Sequence, residues 1–151
     1  GSMAPYAHLV SRLFSAASRA THFKELRTYY FHNCIYGRVY KTEALSEAVR
    51  GQDLIADCGR HYKLIFVGDA LMAPYELLHG GGALDLGNNN SVEGIVWLMM
   101  LAEHFVRHAW LNPEPPQYWS GTTIDYIRQV LPMFPLTLAG LGDAVTSLKG
   151  R

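Results

Sequence analysis

The chain has 151 residues, 49% of them hydrophobic, which is enough for one ordinary core and too few for two typical domains. Thirteen lysines and arginines offset thirteen aspartates and glutamates, so no net field directs it towards nucleic acid or an anionic membrane. The longest strongly apolar run, IVWLMMLA at 95–102, falls far short of the roughly 18 residues that cross a bilayer, no signal-peptide pattern opens the chain, and Cys34 and Cys58 make no disulfide framework; a cytoplasmic setting is expected.

Residues 5–20 place Tyr6, Leu9, Val10, Leu13, Phe14 and Ala17 on one helical face, which predicts an amphipathic helix. Residues 27–33 (RTYYFHN) are rich in aromatic side chains and 36–40 resume after a break at Cys34 and Ile35. The two are expected as neighbouring strands, the one antiparallel pair of the sheet. Residues 42–58 read as helix in two pieces interrupted at Gly51, with Gly59 placed to end the second. Residues 62–68 (YKLIFVG) have the composition of a central strand covered on both faces.

From Asp69 to Asn90, Pro74, the triplet 80–82 and the asparagines 88–90 give loop composition, with one helical turn expected around 75–79. Ser91 is placed to cap a helix reaching Arg107, apolar nearly all round and therefore expected to be deeply packed. Residues 108–112 (HAWLN) read as a strand closed by Pro113, Pro115 and Pro116. Thr122 or Thr123 starts a helix to Leu131, 133–136 make a short last strand, and 137–149 a final amphipathic helix. This alternation predicts a single doubly wound α/β domain, a mostly parallel sheet with helices on both faces. Ligands of such folds bind beyond the carboxyl ends of the strands, here Asp69, Ala70, Asn112, Pro113 and the loop 71–90.

The segments SRLFSAA (11–17), YYFHNCIY (29–36), YKLIFVGDALMAPYEL (62–77), WLMMLAEHF (97–105), AWLNPEPPQYW (109–119) and MFPLTLAGL (133–141) together resemble the von Willebrand factor A (vWA) domain of bacterial CoxE-like proteins. They occur in the family's order and cover almost the whole chain. The resemblance implies a Rossmann-like fold with a metal-ion-dependent adhesion site. There Mg²⁺ is held by a DxSxS or DxGxS loop after the first strand, a threonine of a second loop and an aspartate after the fourth strand. Such hard oxygen ligands leave positions open for a carboxylate of the partner.

On that pattern Asp69 matches the aspartate, and Ser2 falls at the second hydroxyl of the first loop, since GSMAPY reads as that loop running into the first helix. If Gly1 and Ser2 are native, the chain begins just after the family's first strand and lacks the motif's leading aspartate; they read equally as a remnant of expression. The second-loop threonine has no good counterpart, because SEAVRGQDL offers only Ser46 and Thr42 lies further back. The resemblance also implies a non-catalytic interaction module that partners a MoxR-type AAA+ ATPase in protein or metalloenzyme maturation. Ala70, Met72, Tyr75, Glu76 and Asn112 would then meet the partner beside the metal ligands, and a missing first strand would favour a homo-oligomer.

Plainer readings stand beside these. Asp69 at a strand end also suits a capped turn. His104 and His108 are spaced like a zinc pair, but the helix should end between them, and His32 with Cys34 lacks a third orienting group. The glycines 80–82 lack the lysine and hydroxyl of a phosphate loop. Trp110, Tyr118 and Trp119 are expected to pack against the last two helices rather than form an exposed aromatic patch. A reading of another class is a small hydrolase or transferase with Asp69 as nucleophile or base and His79 or Glu76 as second group.

Overall fold

The computed structural model describes residues 6–21, 24–32, 35, 37–70 and 94–149. The predicted N-terminal stripe folds as α1 (Ala7–Thr21), which buries Leu13 and Ala17 and packs Tyr6, Val10 and Phe14 against the same cluster. Three apolar segments form a parallel sheet in the order β3 (Leu64–Val67), β4 (His108–Asn112), β5 (Met133–Pro135). Leu64 lies opposite His108 and Val67 opposite Leu111, while Trp110 lies opposite Met133 and Asn112 opposite Pro135.

Parallel neighbours require crossovers, and two helices supply them: α3 (Gly94–His104) joins β3 to β4, and α4 (Thr122–Val130) joins β4 to β5. A last helix, α5 (Leu138–Lys149), follows β5. Because side chains alternate across a sheet, each strand feeds two cores. Phe66 and Trp110 join Trp97, Leu98 and Leu101 of α3 and Ile124 and Ile127 of α4. Ile65, Val67, Ala109 and Leu111 join Leu13 and Ala17 of α1 and Leu141, Ala144 and Leu148 of α5. Helices therefore cover both faces, as the order of elements predicts. Each large apolar side chain so buried contributes about 1.5–3 kcal/mol.

The structure corrects four local expectations. The antiparallel pair is β1 (Arg38–Tyr40) with β2 (Ala48–Arg50), in a sheet separate from the parallel one. Among the described residues of segment 27–33, what joins it is the bridge between Tyr30 and Tyr40, whose two backbone bonds measure 2.7 and 2.8 Å. Secondly, 42–50 is not helical. Leu45 and Glu47 sit at φ 58° and 57°, in the left-handed region that a right-handed helix does not admit. Gly51 interrupts nothing; it starts α2 (Gly51–Asp57), donates its N–H to the Gly37 carbonyl at 2.7 Å, and leaves space for the Trp97 ring, which an added Cβ would meet at 2.7 Å.

Thirdly, β4 occupies the middle of the described sheet and β3 one margin, although β3 is covered on both faces. Finally, α3 is not buried all round, since Val96, Met99 and Met100 are exposed. The expected turn at 75–79 and the Ser91 cap lie outside the described residues. Among the described residues no helix is long and apolar enough to cross a membrane.

Candidate functional site

Beyond β3 the chain turns through Gly68, Asp69 and Ala70, and three successive carbonyls of this turn are each held by a side chain. The Trp110 indole N–H donates to Gly68 O at 2.8 Å, the Asn112 amide to Asp69 O at 3.2 Å, and the Thr123 hydroxyl to Ala70 O at 3.4 Å. The local sequence explains the clamp. Trp110 and Asn112 are two apart on one strand and so share a face. Thr123 sits in the first turn of α4, which points it back at the same edge. Gly68 packs closely under the Trp110 ring, where a Cβ would stand at a tight 3.3 Å, and that ring lies stacked on Phe66 with centroids 5.2 Å apart.

The clamp holds an unfavourable backbone. Ala70 has φ 60°, a conformation that costs an L-residue roughly 1–2 kcal/mol. Both amide atoms of Asn112 are engaged here, since Nδ2 also faces Met133 Sδ at 3.5 Å and Oδ1 accepts the Glu114 N–H at 2.9 Å. The Glu114 carbonyl in turn accepts the Trp119 indole N–H at 2.7 Å. A chain of satisfied, buried polar groups thus runs from the β3 turn to the segment after β4, an arrangement that rigidifies both.

Of the residues expected at this edge, Asp69 is half-buried in the turn. Ala70 and Asn112, expected beside a partner, are 1% and 0% exposed and hold the turn from inside. Ser2, Met72, Tyr75 and Glu76 lie outside the described residues, as does His79. Trp110, Thr123 and Gly68 carry the site's geometry and were not singled out for it from the sequence. The spacing W-x-N in HAWLN, read against the glycine preceding Asp69, is the signal that marks them.

A divalent cation of the implied kind needs several hard oxygen ligands gathered beside Asp69. The described residues do not supply them. Asn112 is committed as above, and Thr42 and Ser46 bond one another at 2.6 Å in the exposed connection between β1 and β2. Among the described residues no group of three or more His, Cys, Asp or Glu side chains is placed to hold a metal. The two histidines with zinc-like spacing serve separate backbone groups: His104 Nε2 lies 2.7 Å from the Cys58 carbonyl and His108 Nδ1 2.7 Å from that of Phe105. Trp110 and Trp119 are buried in the core shared with α3 and α4, which leaves Tyr118 alone of the three exposed.

A second polar cluster joins Glu25, Arg27 and Tyr62. The Glu25 carboxylate accepts from the Arg27 guanidinium and, at 2.7 Å, from the Tyr62 hydroxyl, while the guanidinium lies 5.4 Å above the Tyr62 ring. The bond from Arg27 holds the Glu25 carboxyl below its ordinary range, and Glu25 in turn pushes the Tyr62 phenol up. The open groove beside it, about 550 Å³, is lined by Arg27, Tyr29, Lys41, Asp53 and Asp57. Its charges are mixed and largely on the surface, which selects no ligand class.

Comparison with protein-family models, with curated proteins and with solved structures finds no match for this chain.

Proposed function

We propose that the chain is a non-catalytic interaction module of vWA type, similar to CoxE-like proteins, and that it offers the turn at Asp69 to a MoxR-type AAA+ ATPase. The observation that supports this reading is the three-point clamp on the carbonyls of residues 68–70. A turn held from inside by Trp110, Asn112 and Thr123 is ordered before any partner arrives, so less conformational freedom is lost on docking. It lies where doubly wound sheets engage their ligands. The module engages its partner at this ordered turn, where the resemblance implies a Mg²⁺ held by Asp69 and Ser2.

An enzyme would need a second titratable group converging on Asp69 within hydrogen-bond reach. His79 and Glu76, the candidates named for that role, belong to the segment that is not described. Solution measurements separate the two readings. Calorimetric titration of a purified MoxR-type ATPase should give 1:1 binding that Asp69→Ala weakens about tenfold, the equivalent of about 1.4 kcal/mol for one partly exposed charge. Chelation of divalent cations should weaken that affinity where Mg²⁺ bridges the contact and leave it within about twofold where the turn alone carries it. Hydrolysis of an ester or phosphate panel that disappears in Asp69→Ala would replace this reading with the catalytic one, and an unchanged affinity in that variant would sink it.

A further inference from the structure

Among the described residues the two most exposed large apolar side chains are Leu138 at 70% and Tyr118 at 61%, and both stand at the carboxyl edge of the parallel sheet. Leu138 opens α5 just beyond β5, and Tyr118 ends a 3₁₀ turn (Pro116–Tyr118) in the connection that follows β4. Single exposed apolar side chains are ordinary on a protein surface, so exposure alone assigns nothing. The way Tyr118 is held does.

The connection after β4 is stiff. Pro113, Pro115 and Pro116 each fix φ, and Pro115, at φ −57° and ψ 143°, leads into the turn. Tyr118 N–H donates to Pro115 O at 2.9 Å and Trp119 N–H to Pro116 O at 3.1 Å. The buried Trp119 pins the turn to the core, its indole bonded to Glu114 O at 2.7 Å and its ring 5.7 Å from the Arg128 guanidinium. Glu114 N–H is held by Asn112, which also holds the Asp69 carbonyl. The backbone that carries Tyr118 is therefore fixed by the same bonded series that fixes the turn at 68–70, while the ring itself is left to solvent. A tyrosine has few side-chain torsions to freeze, so on an ordered backbone it loses little freedom when covered.

We infer that Tyr118 is the apolar anchor of the partner contact, its ring entering a mostly apolar pocket on the protein that docks at the turn 68–70. This contact rests on the reading of that edge as the docking face. Neighbouring strands lie about 4.8 Å apart, so the ends of β3, β4 and β5 fall within about 10 Å of one another. A specific interface covers about 800 Å² of each partner, a patch roughly 30 Å across. A partner seated on the turn thus also covers the connection after β4 and the start of α5. An aromatic ring covered in this way is stabilised most by apolar surface, which sets the chemistry of the pocket opposite it.

Titration of purified MoxR-type ATPase with Tyr118→Ala should show affinity about 30-fold weaker or more, the scale of an interface hot spot. Tyr118→Phe keeps the ring and should stay within about fivefold of the parent. Val106→Ala is the control. Val106 is 54% exposed but stands at the opposite edge, just ahead of β4, so its truncation should leave affinity within about twofold. Tyr118 is exposed, and an unchanged thermal midpoint in Tyr118→Ala checks that the fold is intact. A parent that binds while Tyr118→Ala binds equally well overturns the anchor and leaves docking at the turn standing, and an equal loss in Val106→Ala does the same. A loss in Tyr118→Ala with none in Asp69→Ala keeps the anchor and sinks the role given to Asp69. A parent that binds no ATPase overturns both.

Discussion

Gly140→Ala should destabilise the fold by about 3 kcal/mol or more and lower the thermal midpoint by roughly 6–12 °C, the opposite of what this exchange does in most helices. Alanine is ordinarily the better helix former by about 0.8–1.0 kcal/mol. At Gly140 packing reverses the sign. The residue is in the first turn of α5, its N–H bonded to the Thr137 hydroxyl at 2.9 Å, and a Cβ built there would stand 1.8 Å from the Pro135 carbonyl oxygen. The obstacle is backbone at the end of β5, so no rotamer change relieves it. Either α5 moves off the sheet, opening the core formed by Leu141, Ala144 and Leu148, or β5 loses its register with β4.

Gly142 supplies the control, because a Cβ there meets nothing within 4 Å. Gly142→Ala should raise stability by about 0.5–1 kcal/mol through helix propensity and a restricted unfolded state. Urea unfolding of the two variants beside the parent tests the pair. Equal and favourable shifts would mean that α5 does not lie on Pro135 as described.

Much of this architecture is legible in the sequence because its signals are long. The α1 stripe extends over four turns, and the apolar runs at 64–67 and 108–112 are bounded by glycine, asparagine and proline. Short elements carry too little pattern. β1 and β2 each have three residues, with only Val39 and Val49 to mark their inward face, so a strand that starts at Ala48 imitates the front half of a helix. The run 27–33 looks like a full strand because it is rich in aromatic side chains, but among the described residues its pairing is a single bridge at Tyr30.

The residues of this sheet edge are legible in the sequence, and their packing roles are not. Asp69 and Asn112 follow from the rule that ligands meet doubly wound sheets at the strand ends. Which polar residue faces outward and which is spent inside depends on the partners of each atom. An asparagine at a strand end reads the same in sequence whether it meets solvent or, as Asn112 does, the Asp69 carbonyl and the Glu114 N–H. The margin of β3 shows the converse. Its composition correctly indicates coverage on both faces, but composition says nothing of which neighbours pair with the strand.

The clamp makes Asn112→Asp the most damaging isosteric change at the site, with a pH dependence that identifies its cause. Asn112 is fully buried and donates to the Asp69 carbonyl. A neutral carboxyl in its place can still donate one hydrogen bond there and accept the N–H of Glu114. An ionised one sets its charge against a carbonyl oxygen without water to solvate it. Burial therefore raises the new group's folded pKa above the ordinary aspartate value of about 3.9. A carboxyl with a raised folded pKa leaves stability intact below its unfolded pKa and removes it as pH climbs through the folded one. Relative to the parent at each pH, the variant should be close to native below about pH 4 and lose about 3–5 kcal/mol at pH 7, the scale set by an uncompensated buried charge. Asn112→Leu separates charge from lost hydrogen bonding. It strands the same carbonyl and N–H without adding an ionisable group, and should cost about 2–3 kcal/mol equally at both pH values. Denaturant titrations at the two pH values decide the matter: a loss in Asn112→Asp that is the same at both would mean that the side chain at 112 is reached by water, and the turn at Asp69 would then lack the internal support on which its order depends.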